Sequence, residues 1–189
     1  MRIIAGLAKG RNLLSPIGAT RPTSDRAREA LFSTLESEFG ELADVYFLDL
    51  YCGSGAVAAE ALSRGVALVH AVDNDEKAVK ISRENLELFE RITGSGTWQV
   101  FSSSVQRFLE IQHSVLYDIV FIDPPYELDN SSVAKVLVSL QSHIKPSTIV
   151  AVERDAKSTP FQWPTYLLPL KERAYGHAVI YYGVPAQNG

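Results

Sequence analysis

The chain has 189 residues, 46% of them hydrophobic, with a net charge of −4, as expected of one soluble globular domain with room for a small appendage. No apolar run reaches the roughly 20 residues of a membrane-spanning helix, and the apolar part of the N-terminus is too short for a signal peptide. Cys52 is the only cysteine, which excludes an internal disulfide and a cysteine metal cluster; a cytoplasmic protein is expected.

The charge is uneven along the chain. Among residues 1–28, six basic residues (Arg2, Lys9, Arg11, Arg21, Arg26 and Arg28) face one acidic residue, Asp25. A basic arm on an acidic body attracts phosphate; a solvated basic face is the plain alternative. Residues 2–5 and 11–14 predict the two short strands of a hairpin, with Gly6 and Gly10 flanking the turn. A lone hairpin is marginally stable, so it must dock on the body or on a partner. Residues 1–20 are read as an extension that contacts RNA, and residues 21–189 as the main domain. An edge ribbon that extends a sheet is the alternative.

Residues 15–20, with Pro16 and Gly18, predict a linker. Thr23 or Ser24 can cap a helix in which Ala27, Leu31, Leu35 and Phe39 fall at four-residue spacing. Arg26 and Arg28 lie off that stripe, where they would meet phosphate or solvent. Gly40 ends the helix.

A strand over 45–50 runs straight into Tyr51, Cys52, Gly53, Ser54 and Gly55, and a helix over 56–64 follows. Glycine lets backbone approach a ligand closely, and strand, glycine turn and helix in that order form a nucleotide-site pattern. G-S-G is nevertheless shorter than the full G-x-G-x-x-G fingerprint. Cys52 reads as a small packed residue. A second strand over 67–72 ends at Asp73, eighteen residues past Gly55. A carboxylate at that interval suits both hydroxyls of a ribose. Capping of the next helix is the alternative, and Asn74 or Asp75 could also do that. That helix, 76–89, has Ala78, Ile81, Leu86 and Phe89 as inward positions. A third strand over 98–101 leads through three serines to a helix over 105–112.

The stretch 118–126 organises the rest. Ile119 to Ile122 is a continuous apolar run, as in a parallel strand covered on both faces. Pro124 and Pro125 stop it, and Pro124 biases Asp123 towards an extended backbone. A carboxylate, a stiff backbone and the Tyr126 ring therefore meet at the carboxyl end of a strand, where open α/β sheets hold ligands. The arrangement suits methylation of an exocyclic amino group on a base. Such a nitrogen is a poor nucleophile because its lone pair is spread into the ring. Asp123 and the Pro124 carbonyl can accept its two hydrogens, and Tyr126 can stack on the base. A strand end with an Asp-Pro turn and a packed tyrosine is the plain reading.

A helix over 132–142, a strand over 148–153 and an antiparallel pair over 166–173 and 177–182 complete an α/β, mostly parallel sheet. His70, His113, His143 and His177 are scattered without metal-ligand spacing, so no metal is expected. Neither G-x-S-x-G nor a P-loop signature is present, which removes serine hydrolases and P-loop nucleotidases.

Several blocks carry a family resemblance: M-R-I-I-A-G-x-x-K-G-R at 1–11, R-P-T-S-D-R-x-R-E-A-L-F at 21–32, L-D-L-Y-C-G-S-G at 48–55, E-A-L-S-R-G at 60–65, D-P-P-Y at 123–126, the glutamate of A-V-E-R at 153, and Y-G at 175–176. With these the chain resembles the RsmD family, bacterial S-adenosyl-L-methionine-dependent methyltransferases acting on a guanine N2 of 16S ribosomal RNA. The resemblance implies a Rossmann-like class I methyltransferase fold, with a seven-stranded sheet in the order 3-2-1-4-5-7-6. It implies that Asp49 and the turn Tyr51, Cys52, Gly53, Ser54, Gly55 hold the methionine part of the cofactor. Asp73, with Asn74, would take the ribose. Ser104 and Val105 would meet the adenine, although many members have Asp or Asn in place of Ser104. Asp123, Pro124, Pro125 and Tyr126 would hold the target guanine. Arg2, Lys9, Arg11, Arg21, Thr23 and Arg26 would contact 16S rRNA, in the small ribosomal subunit or an assembly intermediate, with the protein a monomer. An adenine-N6 methyltransferase on DNA or RNA remains the alternative, since D-P-P-Y suits either amine. A dehydrogenase, a dinucleotide-binding module or a non-catalytic RNA-binding factor would leave D-P-P-Y unexplained.

Overall fold

The computed structural model describes residues 1–15, 25–111, 114–159 and 161–186. Its seven strands are β1 (Tyr46–Leu50), β2 (Leu68–Asp73), β3 (Thr97–Ser102), β4 (Tyr117–Ile122), β5 (Ile144–Asp155), β6 (Leu167–Tyr175) and β7 (Ala178–Pro185). They form one sheet in the order β3-β2-β1-β4-β5-β7-β6, as the resemblance implies. The first five are parallel, and β7 joins antiparallel to both β5 and β6.

The helices are α1 (Asp25–Phe39), α2 (Ala56–Ser63), α3 (Glu76–Leu86), α4 (Val105–Glu110) and α5 (Asn130–Ser139). They cover the sheet on two sides, because strand side chains alternate between faces. On β4, Ile119 and Phe121 pack in a core with α1, α2 and α3, whereas Val120 and Ile122 pack in a second core with α4 and α5. Burial on both faces explains why β4 reads as a continuous apolar run. No helix among the described residues is long and apolar enough to cross a membrane.

Register places the site. Leu50 pairs with Val72 on one side and Ile122 on the other, so β1, β2 and β4 end together. The strand order reverses between β1 and β4, and such a switch point opens a crevice at the carboxyl ends.

The structure corrects several expectations. The N-terminal hairpin has no two strands; one antiparallel bridge, Arg2 with Asn12, closes it. It does not extend the sheet but docks on α2. Glu60 accepts from the amides of Ile4 (2.8 Å) and Ala5 (3.0 Å), and Ser63 Oγ accepts from the Ala8 amide (2.9 Å). Gly6 permits this approach, since a Cβ there would lie 1.7 Å from the Ser63 carbonyl oxygen. Ile3, Ala8 and Leu13 join the core beneath α1 and α2.

Arg28 is not at the surface. Its side chain is fully buried, 3.6 Å from Glu60 and 2.8 Å from Asp25, and it donates to the Arg2 carbonyl at 2.7 Å. A buried guanidinium must be paired, and this one ties α1 to the ribbon and to α2. On α3, Ile81 is only half-buried, and Val79, Ser82 and Asn85 turn inward beside Ala78 and Leu86. The helix ends at Leu86 and a 3-10 turn, Glu87–Arg91, carries Phe89. The expected linker over 15–20 falls mainly, and the caps Thr23 and Ser24 wholly, outside the described residues.

Candidate active site

The glycine turn is held from three directions. At its start Tyr51 adopts a positive φ of 63°, a left-handed conformation uncommon outside glycine. The Cys52 amide donates to the Val72 carbonyl at 3.0 Å, and the Gly53 amide donates to Asp73 Oδ2 at 2.9 Å. At Gly55, which precedes α2 with φ 73°, a Cβ would come within 2.4 Å of Ser82 Oγ. Glycine is therefore required at 55 by backbone conformation and by packing alike.

Asp73 does not cap α3. Asp75 does, accepting from the Lys77 and Ala78 amides at 2.8 and 2.9 Å. Asp73 uses one oxygen on Gly53 and the other on the Asp75 amide at 2.9 Å. Each carboxylate oxygen has a second lone pair, so the half-buried Asp73 can still accept from a ligand. Asn74 is exposed beside it.

Asp49 lies beneath the turn, buried, and accepts from the Ala58 amide at 3.1 Å. Burial pushes its carboxyl well above the usual 3.8, and the nearby charges of Asp123 and Asp73 push it further; the Ala58 bond opposes them. Asp49 in β1, Asp73 at the end of β2 and Asp123 just past β4 thus stand near one another at this edge of the sheet. Burial and the charges of Asp49 and Asp73 likewise raise the Cys52 thiol, which suits packing rather than nucleophilic attack.

At the end of β4 the Asp123 amide donates to the Leu50 carbonyl at 3.3 Å. Asp123 is half-buried, Pro124 is buried, and Pro125 and Tyr126 are exposed. The Leu128 amide donates to the Pro125 carbonyl at 2.9 Å, and the buried Arg154 on β5 donates to the Leu128 carbonyl at 2.7 Å. The turn carrying Tyr126 is therefore anchored from the neighbouring strand.

Ser104 caps α4, accepting from the Arg107 amide at 3.3 Å. Its oxygen is engaged in the fold while its O–H can still donate. Val105 is buried behind it. Arg2, Lys9, Arg11 and Arg26 are exposed; Arg21 and Thr23 lie outside the described residues.

Sequence reasoning missed Glu60, Ser63, Asn85 and Arg154 as the residues that fix the ribbon, the glycine turn and the Tyr126 loop. Burial of polar residues within α2, α3 and β5 is the signal, and it becomes visible only once their partners are placed.

The model of a family described as "Conserved hypothetical protein 95" matches residues 1–184. Over 179 residues the chain is 33% identical to the ribosomal RNA small subunit methyltransferase D of Haemophilus influenzae, spanning 93% of this chain and 89% of that one. The chain belongs to the RsmD family. Among solved structures, the RsmD-family chain is similar to yhhF of Escherichia coli, with a TM-score of 0.83, 26% identity, and coverage of 98% and 97% of the two chains. It shares its fold with the rRNA methyltransferase aviRa of Streptomyces viridochromogenes, with a TM-score of 0.72 at 19% identity over 95% of this chain and 91% of the other.

Proposed function

We propose that the protein transfers a methyl group from S-adenosyl-L-methionine to the exocyclic N2 of one guanine in 16S rRNA, acting in the cytoplasm as a monomer on the small ribosomal subunit or an assembly intermediate. The observation that carries this reading is the convergence of Asp123, followed by Pro124, Pro125 and an exposed Tyr126, with the Asp49–Asp73 glycine turn at one switch point.

The residues fit the cofactor. Burial and the charges of Asp123 and Asp73 raise the Asp49 carboxyl, and a cationic group bound beside it would favour its charged form. Asp49 and the turn from Tyr51 to Gly55 would hold the methionine portion, and Asp73 with Asn74 the ribose. Val105 and the O–H of Ser104 would meet the adenine. When bound, S-adenosylmethionine supplies an electrophilic methyl group.

The chain's own contribution is positioning and electrostatics. Tyr126 stacks on the extruded base. Asp123 and the Pro124 carbonyl accept the two amino hydrogens, which draws the lone pair out of the ring onto N2. The proton lost from N2 leaves through Asp123 or water. The exposed Arg2, Lys9, Arg11 and Arg26, with Arg21 and Thr23, contact RNA, and phosphate contacts of this kind weaken with salt.

The test is methyl transfer from labelled S-adenosylmethionine to small subunits lacking guanine-N2 methylation, mapped to the nucleotide. One labelled guanine is expected, with the label lost in Asp123→Ala while S-adenosylhomocysteine still binds. Binding without any labelled guanine in the wild type would refute the substrate.

A further inference from the structure

We infer that Glu153 reads the N1–H of the target guanine, so that a pair of carboxylates, Asp123 and Glu153, selects guanine over bases lacking that donor. The inference rests on the guanine-N2 reading above and assigns its specificity.

Glu153 lies on β5, next to β4 in the sheet. Ile122 pairs with Val152, and one residue further along each strand stand Asp123 and Glu153. Phe121 and Ala151 face the α2 side, while Ile122 and Val152 face the other. Alternation therefore turns Asp123 and Glu153 together towards the α2 side. The charges agree with this placement. Asp123 acts on Asp49, which is bonded to α2, and Glu153 acts on the hydroxyl of Tyr182, whose side chain packs in the α2-side core. Adjacent strands run about 4.8 Å apart, so the two residues stand side by side where β4 ends and β5 continues to Asp155. Glu153 is buried, at 4% exposure, while Asp123 is half-buried.

Two neighbouring carboxylates repel, and a ligand edge bearing adjacent donors offsets that repulsion. Guanine has such an edge, with N1–H beside the N2 amino group. Adenine places an acceptor, N1, beside its amino group. 2-Aminopurine keeps the 2-amino group of guanine but also has an acceptor at N1. Facing Glu153, that acceptor would meet a carboxylate that has no hydrogen to give. Sites built to bond a particular donor reject analogues lacking it strongly, because their buried polar groups are left unpaired.

The experiment compares small subunits carrying guanine or 2-aminopurine at the target position, with N2-methylation measured as kcat/KM. Wild type should favour guanine by at least ~100-fold. Glu153→Gln offers an N–H to the acceptor of 2-aminopurine, so the preference should fall to within about 10-fold of unity, with S-adenosylhomocysteine affinity unchanged. If Glu153→Gln does not bind S-adenosylhomocysteine, Glu153→Asp replaces it; its carboxylate is one methylene too short, and the preference should again collapse. Equal wild-type rates on the two bases, or a variant keeping the full preference, would overturn the role of Glu153 and leave the guanine-N2 reading intact. A wild type that methylates neither base would sink the reading itself.

Discussion

Asn85 and Leu14 exchange two hydrogen bonds: the Leu14 amide donates to Asn85 Oδ1 at 2.8 Å, and Asn85 Nδ2 donates to the Leu14 carbonyl at 3.1 Å. The same Nδ2 donates to the Ser54 carbonyl at 2.8 Å. One buried amide on α3 therefore links the N-terminal ribbon, read as an RNA contact, to the glycine turn, read as the cofactor cradle. Asn85→Ala removes three bonds and leaves two carbonyls and an amide to find water. A loss of about 2–3 kcal/mol is expected, read from the midpoint and slope of urea unfolding. Hydrogen exchange should show the Leu14 amide losing protection first. Unchanged exchange there would break the proposed link.

The position of Glu60 makes a second prediction. It is fully buried, it accepts from the Ile4 and Ala5 amides and from Arg64 Nε at 2.9 Å, and it lies 3.6 Å from Arg28. Glu60→Ala leaves the buried Arg28 with only the more exposed Asp25 as counter-charge and takes the acceptor from the Ile4 and Ala5 amides, and should cost about 3–5 kcal/mol. Asp25→Ala removes the other acidic partner of Arg28, but a more exposed one, and should cost at most about 1 kcal/mol. Denaturant unfolding of the two variants side by side provides the check. Equal costs would mean that Arg28 is not held by Glu60.

Asp49 sets a pH dependence. Its carboxyl titrates well above 3.8 in the folded protein, so between the unfolded and folded values the native state holds a proton that the unfolded state has lost. By linkage the ligand-free protein is favoured at low pH, and this contribution fades as pH rises through that window. A cationic group bound beside Asp49 expels the proton. Affinity for S-adenosylhomocysteine, which keeps the ammonium group, should therefore rise with pH over the same window, with proton release. Calorimetry in buffers of different ionisation enthalpy measures this directly, and Asp49→Asn should flatten the dependence. A wild-type affinity independent of pH would argue against the assigned contact.

Tyr126 is exposed at the site while the turn beneath it is anchored by Arg154 through Leu128. If it stacks on the flipped base, Tyr126→Ala should lower kcat/KM by about 10- to 100-fold, the worth of one base–aromatic stack. Tyr126→Phe keeps the ring face and should stay within about 3-fold of wild type. A phenylalanine variant as weak as the alanine one would assign the role to the hydroxyl instead.

Much of the architecture follows from local pattern. A two-sided apolar run marks β4, a four-residue stripe marks α1, and the prolines after Asp123 end a strand; each depends on a residue's own neighbours in the chain. The positive-φ glycines of the 51–55 turn belong to the same class. The order β3-β2-β1-β4-β5-β7-β6 came through family resemblance, since no local rule ranks parallel strands. The tertiary structure alone decided which groups meet. Register ends β1, β2 and β4 together, which brings Asp49, Asp73 and Asp123 to one edge of the sheet, and sets Glu153 one residue past the Ile122–Val152 pair. Docking buries Arg28 against Glu60 and sets Asn85 between the ribbon and Ser54. Periodicity reports which face of an element is covered. It does not report which distant residue covers it, and an off-stripe arginine has the same local pattern whether it meets solvent or a buried carboxylate.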